Sequence, residues 1–235
     1  TLSYTPGALT VSPKTITATL TANDKVYDGA TTATGTLTLN GLVGSETLGK
    51  TFAAAFNSKD VASANLVTAS SVQLSDGSGR AANYVLGSGQ TASARITPLS
   101  VNVTGVSAVG RVYDATTRAT LTGTPVMTTI AGAGDAPVVA GTALAVFGDA
   151  NAAANKPVTV TGYSLSGTGA SNYALVQPSG LTATIAQATL NVIANADAKL
   201  VTTLDGPNFN GVSYAGFVGA DTAAVVSGTL VVARS

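Results

Sequence analysis

The sequence predicts an all-β protein: tandem, small, antiparallel sandwich-like repeats in an elongated array, with at most one short helical turn per repeat. Three observations predict it. Apolar residues alternate with a period of two, strong helix formers are scarce, and the chain repeats itself after 86 to 89 residues.

The alternation is clearest at Ile16, Ala18, Leu20 and Ala22, set between Thr15, Thr17, Thr19 and Thr21. Leu99, Val101 and Val103 alternate with Ser100, Asn102 and Thr104, and Leu190, Val192 and Ala194 repeat the pattern. Such spacing puts one face of a strand in a core and the other in water, and β-branched, polar Thr suits the wet face. Glu46 is the only Glu in the chain. Gly and Asn/Asp clusters punctuate the runs, so the strands are expected to be mostly antiparallel.

The repeat is read from matched segments. Lys25-Val26-Tyr27-Asp28-Gly29-Ala30-Thr31-Thr32 returns 86 residues later as Arg111-Val112-Tyr113-Asp114-Ala115-Thr116-Thr117-Arg118. Asn83-Tyr84-Val85-Leu86 returns 89 residues later as Asn172-Tyr173-Ala174-Leu175, each leading into a strand that ends in Ile96 or Ile185. Phe56 matches Phe147. These anchors divide the chain into residues 1–13, the closing strand of a preceding repeat; 14–98 and 99–187, two full repeats; and 188–235, the first half of a third. The abrupt ends predict a piece of a longer chain. They also suggest that residues 1–13 could complete the third repeat by strand addition, within the chain or in a neighbouring copy.

A further recurrent feature is a Gly before a small polar residue and an apolar run: Gly44-Ser45-Glu46, Gly134-Asp135-Ala136 and Gly219-Ala220-Asp221. Ser or Asp there could cap one exposed turn of helix, so a helical turn or tight loop is expected at each.

Composition excludes much chemistry. Charged residues are 9% of the chain against roughly 25% for an ordinary globular protein, and eleven Lys and Arg balance eleven Asp and Glu. Neither nucleic-acid binding nor capture by anionic membranes is expected of such a surface. Without Cys or His there are no disulfides, no thiolate or imidazole metal ligands and no Ser-His-Asp or Cys-His machinery. Val138–Phe147, the most apolar stretch, is too short and too broken to span a bilayer, so no membrane insertion is expected. A chain free of thiols is compatible with secretion in unfolded form.

The Tyr-Asp-Gly signature, the downstream Asn-Tyr and the terminal Ile strand resemble the YDG repeats. The third segment, with Gly211-Val212-Ser213-Tyr214-Ala215-Gly216-Phe217-Val218 and Ser227-Gly228-Thr229-Leu230, resembles the related MBG repeats. The resemblance implies large Gram-negative surface or matrix adhesins of the filamentous-haemagglutinin class, often exported by two-partner secretion, in which such repeats form stalks.

Tyr27, Asp28, Tyr113, Asp114, Asn83, Tyr84, Asn172 and Tyr173 are therefore expected to be structural. Asp28 and Asp114 are read as turn residues that accept a hydrogen bond from the backbone two residues on, or from the following Thr. Ala115 in place of Gly29 argues that this position needs no left-handed backbone. The tyrosines should bury their rings and bond their hydroxyls to backbone. Asn57-Ser58-Lys59-Asp60 and Gly148-Asp149-Ala150-Asn151 occupy equivalent positions and could form weak oxygen sites for calcium, with a solvated turn as the simpler alternative. Tyr163, Phe209 and Tyr214 break the repeat and are the candidates for glycan contact. No catalytic residue, metal or cofactor is expected. The expected function is a stalk or spacer, secreted to a bacterial cell surface or matrix, with neighbouring repeats as partners and extracellular polysaccharide or another cell's surface as a further one. A glycan-binding module is the alternative.

Overall fold

The computed structural model describes residue 7, residues 9–196 and residues 211–229. Among these the regular structure is almost all strand, arranged in several small sheets. Its helical pieces are single 3-10 turns at Ala81–Asn83, Ala170–Asn172 and Ala223–Val225. No helix among the described residues is long and apolar enough to cross a membrane.

The chain forms two compact units, and their limits do not follow the repeats. The first comprises Thr1–Val101, Thr128–Val138 and Leu165–Leu175; the second comprises Asn102–Met127, Val139–Ser164 and Val176–Ser235. Two pieces of the second repeat thus belong to the compact unit of the first.

In the first unit, strand Lys14–Ala22 pairs antiparallel with Gly35–Asn40 and, on its other edge, parallel with Tyr84–Leu86. Its threonines are exposed while Ile16 and Leu20 are buried against Leu37 and Tyr84, as the alternation requires. Leu48–Phe56 pairs with Leu66–Asp76, which pairs with Thr91–Ser93. A register shift between Thr51 and Ala53 lies opposite Ser71, whose φ of 49° marks a β-bulge.

In the second unit, Arg111–Val112, Thr182–Ala186, Ala153–Thr161 and Leu144–Phe147 form one sheet in that order. Phe147, Val158, Val160, Ala183 and Ile185 make its core, with Ala119 and Ala145. These side chains are small, so a single aromatic, Phe147, supplies much of the buried area. Farther along, Asn191–Ala194 pairs antiparallel with Val212–Ala215. Here the alternation misleads: Val192 and Ile193 are both about half exposed, because among the described residues this two-stranded ribbon is not part of a larger sheet.

The pairing is mostly antiparallel, as expected, with short parallel ladders where each Tyr-Asp segment begins. Lys25–Val26 runs parallel to Ile96–Thr97, and Arg111–Val112 to Ile185–Ala186. Ile96 and Ile185 are buried beneath them. The opening strand assigned to residues 1–13 is not paired where it is described. Leu9–Pro13 carries no strand, Leu9 and Val11 are exposed, and residues 1–6 and 8 lie outside the described residues.

Candidate functional site: the Tyr-Asp corner and its acceptor turn

Both copies of the Tyr-Asp segment build the same corner. The backbone N–H of Tyr27 donates to Thr97 and that of Tyr113 to Ala186, which ends the parallel ladder and turns the chain. Asp28 Oδ1 then accepts from Ala30 N at 3.0 Å, and Asp114 Oδ1 from Thr116 N at 2.9 Å and Thr116 Oγ1 at 2.8 Å. These are the aspartate-closed turns read from the sequence. A cation two residues before each Tyr completes the corner. Lys25 Nζ bonds Asp28 Oδ1 at 2.7 Å and the Ala30 carbonyl at 2.8 Å; Arg111 pairs with Asp114 and donates to the Thr116 carbonyl. The same cations lie over the matched aromatics, Lys25 over Phe56 at 5.8 Å and Arg111 over Phe147 at 5.5 Å. The Arg111 guanidinium, followed by the Thr116 hydrogen bonds, holds the Asp114 carboxyl down at about 2.

The third corner residue corrects one expectation. Gly29 has φ 78° and Ala115 φ 62°. The turn does require the left-handed region, and the second repeat accepts an Ala there in a conformation that favours Gly.

The corner tyrosine reaches into the next repeat. Tyr27 is 2% exposed, and its hydroxyl donates to Asp135 Oδ2 at 2.5 Å. Tyr173 donates to the same oxygen at 3.0 Å and meets the Tyr27 ring edge-on, centroids 5.5 Å apart. Asp135 Oδ1 takes Lys59 Nζ at 3.3 Å and Asn172 Nδ2 at 3.4 Å. The Asp135 side chain is 2% exposed, so a buried carboxylate is compensated by two phenols, an ammonium and an amide. Burial alone would raise the Asp135 carboxyl, but hydrogen bonds from Tyr27, Tyr173 and Lys59 outweigh it and hold it below the usual range. Burial, reinforced by the hydrogen bond to Asp135, pushes Tyr27 up to about 12.

Asn172, fully buried, closes the cluster. Its amide nitrogen donates to Asp60 Oδ1 at 2.9 Å and its carbonyl accepts from Val61 N at 3.0 Å. Lys59 donates to Asp60 at 2.6 Å. A calcium ion at Asn57–Asp60 would have to displace that ammonium, and the equivalent Asp149 is likewise paired, with the buried Lys156 at 2.5 Å.

The Asn-Tyr motif has a common design in both repeats. A 3-10 turn, Ala81–Asn83 or Ala170–Asn172, delivers the Tyr. Tyr84 accepts from Val43 N at 3.1 Å and donates to Glu46; Tyr173 accepts from Ile130 N at 3.4 Å and donates to Asp135. The Tyr84 and Tyr173 hydroxyls do bond backbone, as expected, whereas that of Tyr27 bonds the Asp135 side chain; Tyr84 and Tyr173 also bind acids, Glu46 and Asp135, of which Asp135 reads in the sequence as a helix cap. The turns at Gly44 and Gly134 contain no helix. After Gly219, the 3-10 turn Ala223–Val225 is capped by Thr222 Oγ1, which accepts from Ala224 N at 3.4 Å. Asp221 instead lines the same groove as Tyr113 and helps push that phenol above its ordinary value. Tyr27 to Asp135 and Tyr113 to Asp221 span the same 108 residues.

Glu46, Asp135 and Asp221 therefore form a third recurrent set. The missed signal was an acid recurring two residues after a small residue, at Gly44, Ala133 and Gly219. Of the three glycan candidates, Tyr163 and Tyr214 lie among the described residues. Tyr163 packs against the Phe147 core; its backbone N–H donates to Gln177 Oε1 and its carbonyl accepts from Gln177 Nε2. Tyr214 stacks at a tilt on Phe217, 5.8 Å apart. Phe209 lies outside the described residues.

Chemically, each lock joins two segments distant in sequence through a neutral phenol and an acidic acceptor. The Asp135 carboxylate has its acceptor positions taken by protein donors. No curated protein and no solved structure matches the chain. The YDG domain family matches it twice, at residues 12–94 and 97–183, and these matches hold both corners and both Asn-Tyr turns: the chain belongs to the YDG domain family.

Proposed function

We propose that these repeats serve as the stalk or spacer of a large secreted bacterial surface or biofilm-matrix adhesin, in an elongated tandem array that mediates cell-surface adhesion or cell–cell aggregation. One observation carries this reading: the signature tyrosine of the first repeat is spent on an acid of the second, Tyr27 on Asp135. A motif whose functional groups are consumed in joining repeat to repeat suits a mechanical element. The resemblance of residues 188–235 to an MBG-type repeat and the low surface charge support the same role, with the partner-binding part of the adhesin elsewhere.

A glycan-binding function is the second reading, favoured by a groove of about 500 Å³ in the second unit, lined by Tyr113, Phe217 and Asp221 among others. Aromatic faces beside polar groups are the means by which sugars are held.

An in-frame deletion of residues 97–183 from the native protein tests the proposal, with cell–cell aggregation as the readout. The stalk reading expects aggregation to fall while the shortened protein remains protease-accessible on the cell. Excess purified chain, added to intact cells, should leave aggregation unchanged. Competition by the purified chain, abolished by Tyr214→Ala, would overturn the stalk reading in favour of glycan binding.

A further inference from the structure

The two tyrosine locks differ by a reciprocal exchange of one methyl group. At the first, the corner residue is Gly29, and a Cβ placed on it would lie 2.9 Å from Ala133 Cβ. At the second, the corner residue is Ala115, and a Cβ placed on Gly219 would lie 2.8 Å from Ala115 Cβ. Ala133 and Gly219 hold the same place, two residues before the acceptor acid. Carbon atoms do not approach so closely, so each junction has room for one methyl. A Tyr-Asp-Gly corner fits an Ala-x-acid turn, and a Tyr-Asp-Ala corner fits a Gly-x-acid turn.

A third acceptor turn of this design is present and holds no corner among the described residues. Val43-Gly44-Ser45-Glu46 matches Val218-Gly219-Ala220-Asp221 residue for residue in type. Both are closed by the same backbone bond, Glu46 N to Val43 O at 3.1 Å and Asp221 N to Val218 O at 3.2 Å. Where a corner is docked, the neighbours are covered: Val218 is half-buried beside Tyr113, and Asn172 is buried in the first junction. At the third turn, Val43 is 53% exposed, Asn83 is exposed, and no atom lies within 4 Å of a Cβ placed on Gly44.

We propose that the Val43–Glu46 turn, with Asn83 and Tyr84 beside it, is a docking site for the corner of another YDG repeat, and that Gly44 selects a Tyr-Asp-Ala corner such as Tyr113-Asp114-Ala115. The docked tyrosine donates to Glu46 as Tyr27 does to Asp135, and the corner alanine fills the space over Gly44. The one-methyl rule then sets which repeat follows which. It rests on the two occupied junctions alone and is independent of any role at a cell surface.

The test is the full chain with an internal tandem duplication, in which Gln187 is followed by a second copy beginning at Pro13. Tyr113 of the first copy then precedes Glu46 of the second by the 108 residues seen at both existing locks. Gly44→Ala is made separately in each copy and thermal unfolding is followed. The backbone strain of Ala at φ 54° is common to both positions and cancels. The substitution in the second copy is expected to lower the midpoint by a further ~4–8 °C, the shift of a modest local destabilisation in a domain of this size. Ala115→Gly in the first copy should restore that increment. Equal drops in the two copies, no restoration by Ala115→Gly, or failure of the duplicated chain to fold would each overturn the proposal.

Discussion

Tyr27 and Asp135 stand 108 residues apart in sequence and share a 2.5 Å hydrogen bond in which the phenol donates to a side chain only 2% exposed. A buried carboxylate is tolerated only when its charge is compensated, so the first repeat and the acceptor turn of the second depend on each other for stability.

The corner itself depends on aspartate geometry. Asp28→Ala removes the acceptor for Ala30 N and the partner of Lys25. The expected loss is about 0.5–1.5 kcal/mol, typical of one hydrogen bond on a largely exposed side chain. Asp28→Asn keeps the turn-closing acceptor and should lose less. Urea unfolding of the two variants side by side checks the order.

Acid should weaken the first unit through its paired carboxylates. The Asp135 carboxyl is held below its ordinary range by its phenol and Lys59 donors against the opposing effect of burial. Lys59 and Asn172 do the same for Asp60. A group whose folded value is depressed contributes stability above its unfolded value, near 4, and that contribution is lost as pH falls through the lower folded value. Stability should therefore fall below about pH 4, and less steeply in Asp135→Asn. Unfolding midpoints between pH 6 and pH 2 measure both slopes.

Alkali should act through the phenol. Tyr27 titrates at about 12 when folded, against an ordinary value of 10.0. Its contribution is complete below pH 10 and declines as pH rises from 10 to 12. In an ultraviolet phenolate titration of the native protein, one late-titrating tyrosine should vanish in Tyr27→Phe.

The methyl exchange predicts a compensation within the natural chain. Gly29→Ala adds left-handed strain and a clash with Ala133. Ala115 shows that the strain alone is tolerated. Gly29→Ala should thus be strongly destabilising, and adding Ala133→Gly should recover the part due to the clash. Equilibrium denaturation of the single and double variants reads that recovery.

Much of this architecture was legible in the sequence. The alternation around Ile16 and Leu20 placed strand faces correctly, because a period of two is a direct consequence of the pleat. The matched Tyr-Asp segments located both corners, whereas the helical turns expected after Gly44 and Gly134 lie instead at Ala81–Asn83 and Ala170–Asn172. What the sequence hid was long-range pairing. Asp135 and Asp221 look like cap residues in their own segments, Glu46 follows the cap candidate Ser45, and nothing local reveals that phenols from elsewhere in the chain face these acids. Ala115 misled for a related reason: a tolerated left-handed alanine looks, in sequence, like an ordinary one. The alternation of Leu190, Val192 and Ala194 signalled a half-buried strand, yet burial needs a second layer that the local pattern cannot supply.

A double-mutant cycle between Tyr27 and Asp135, with Tyr27→Phe, Asp135→Asn and the double variant unfolded in urea, tests the inter-repeat lock most directly. A charge-assisted bond in a buried setting predicts a coupling of about 1–3 kcal/mol, each single variant costing more than its share of the double. Strictly additive losses would contradict the lock and reduce the Tyr-Asp signature to a local turn.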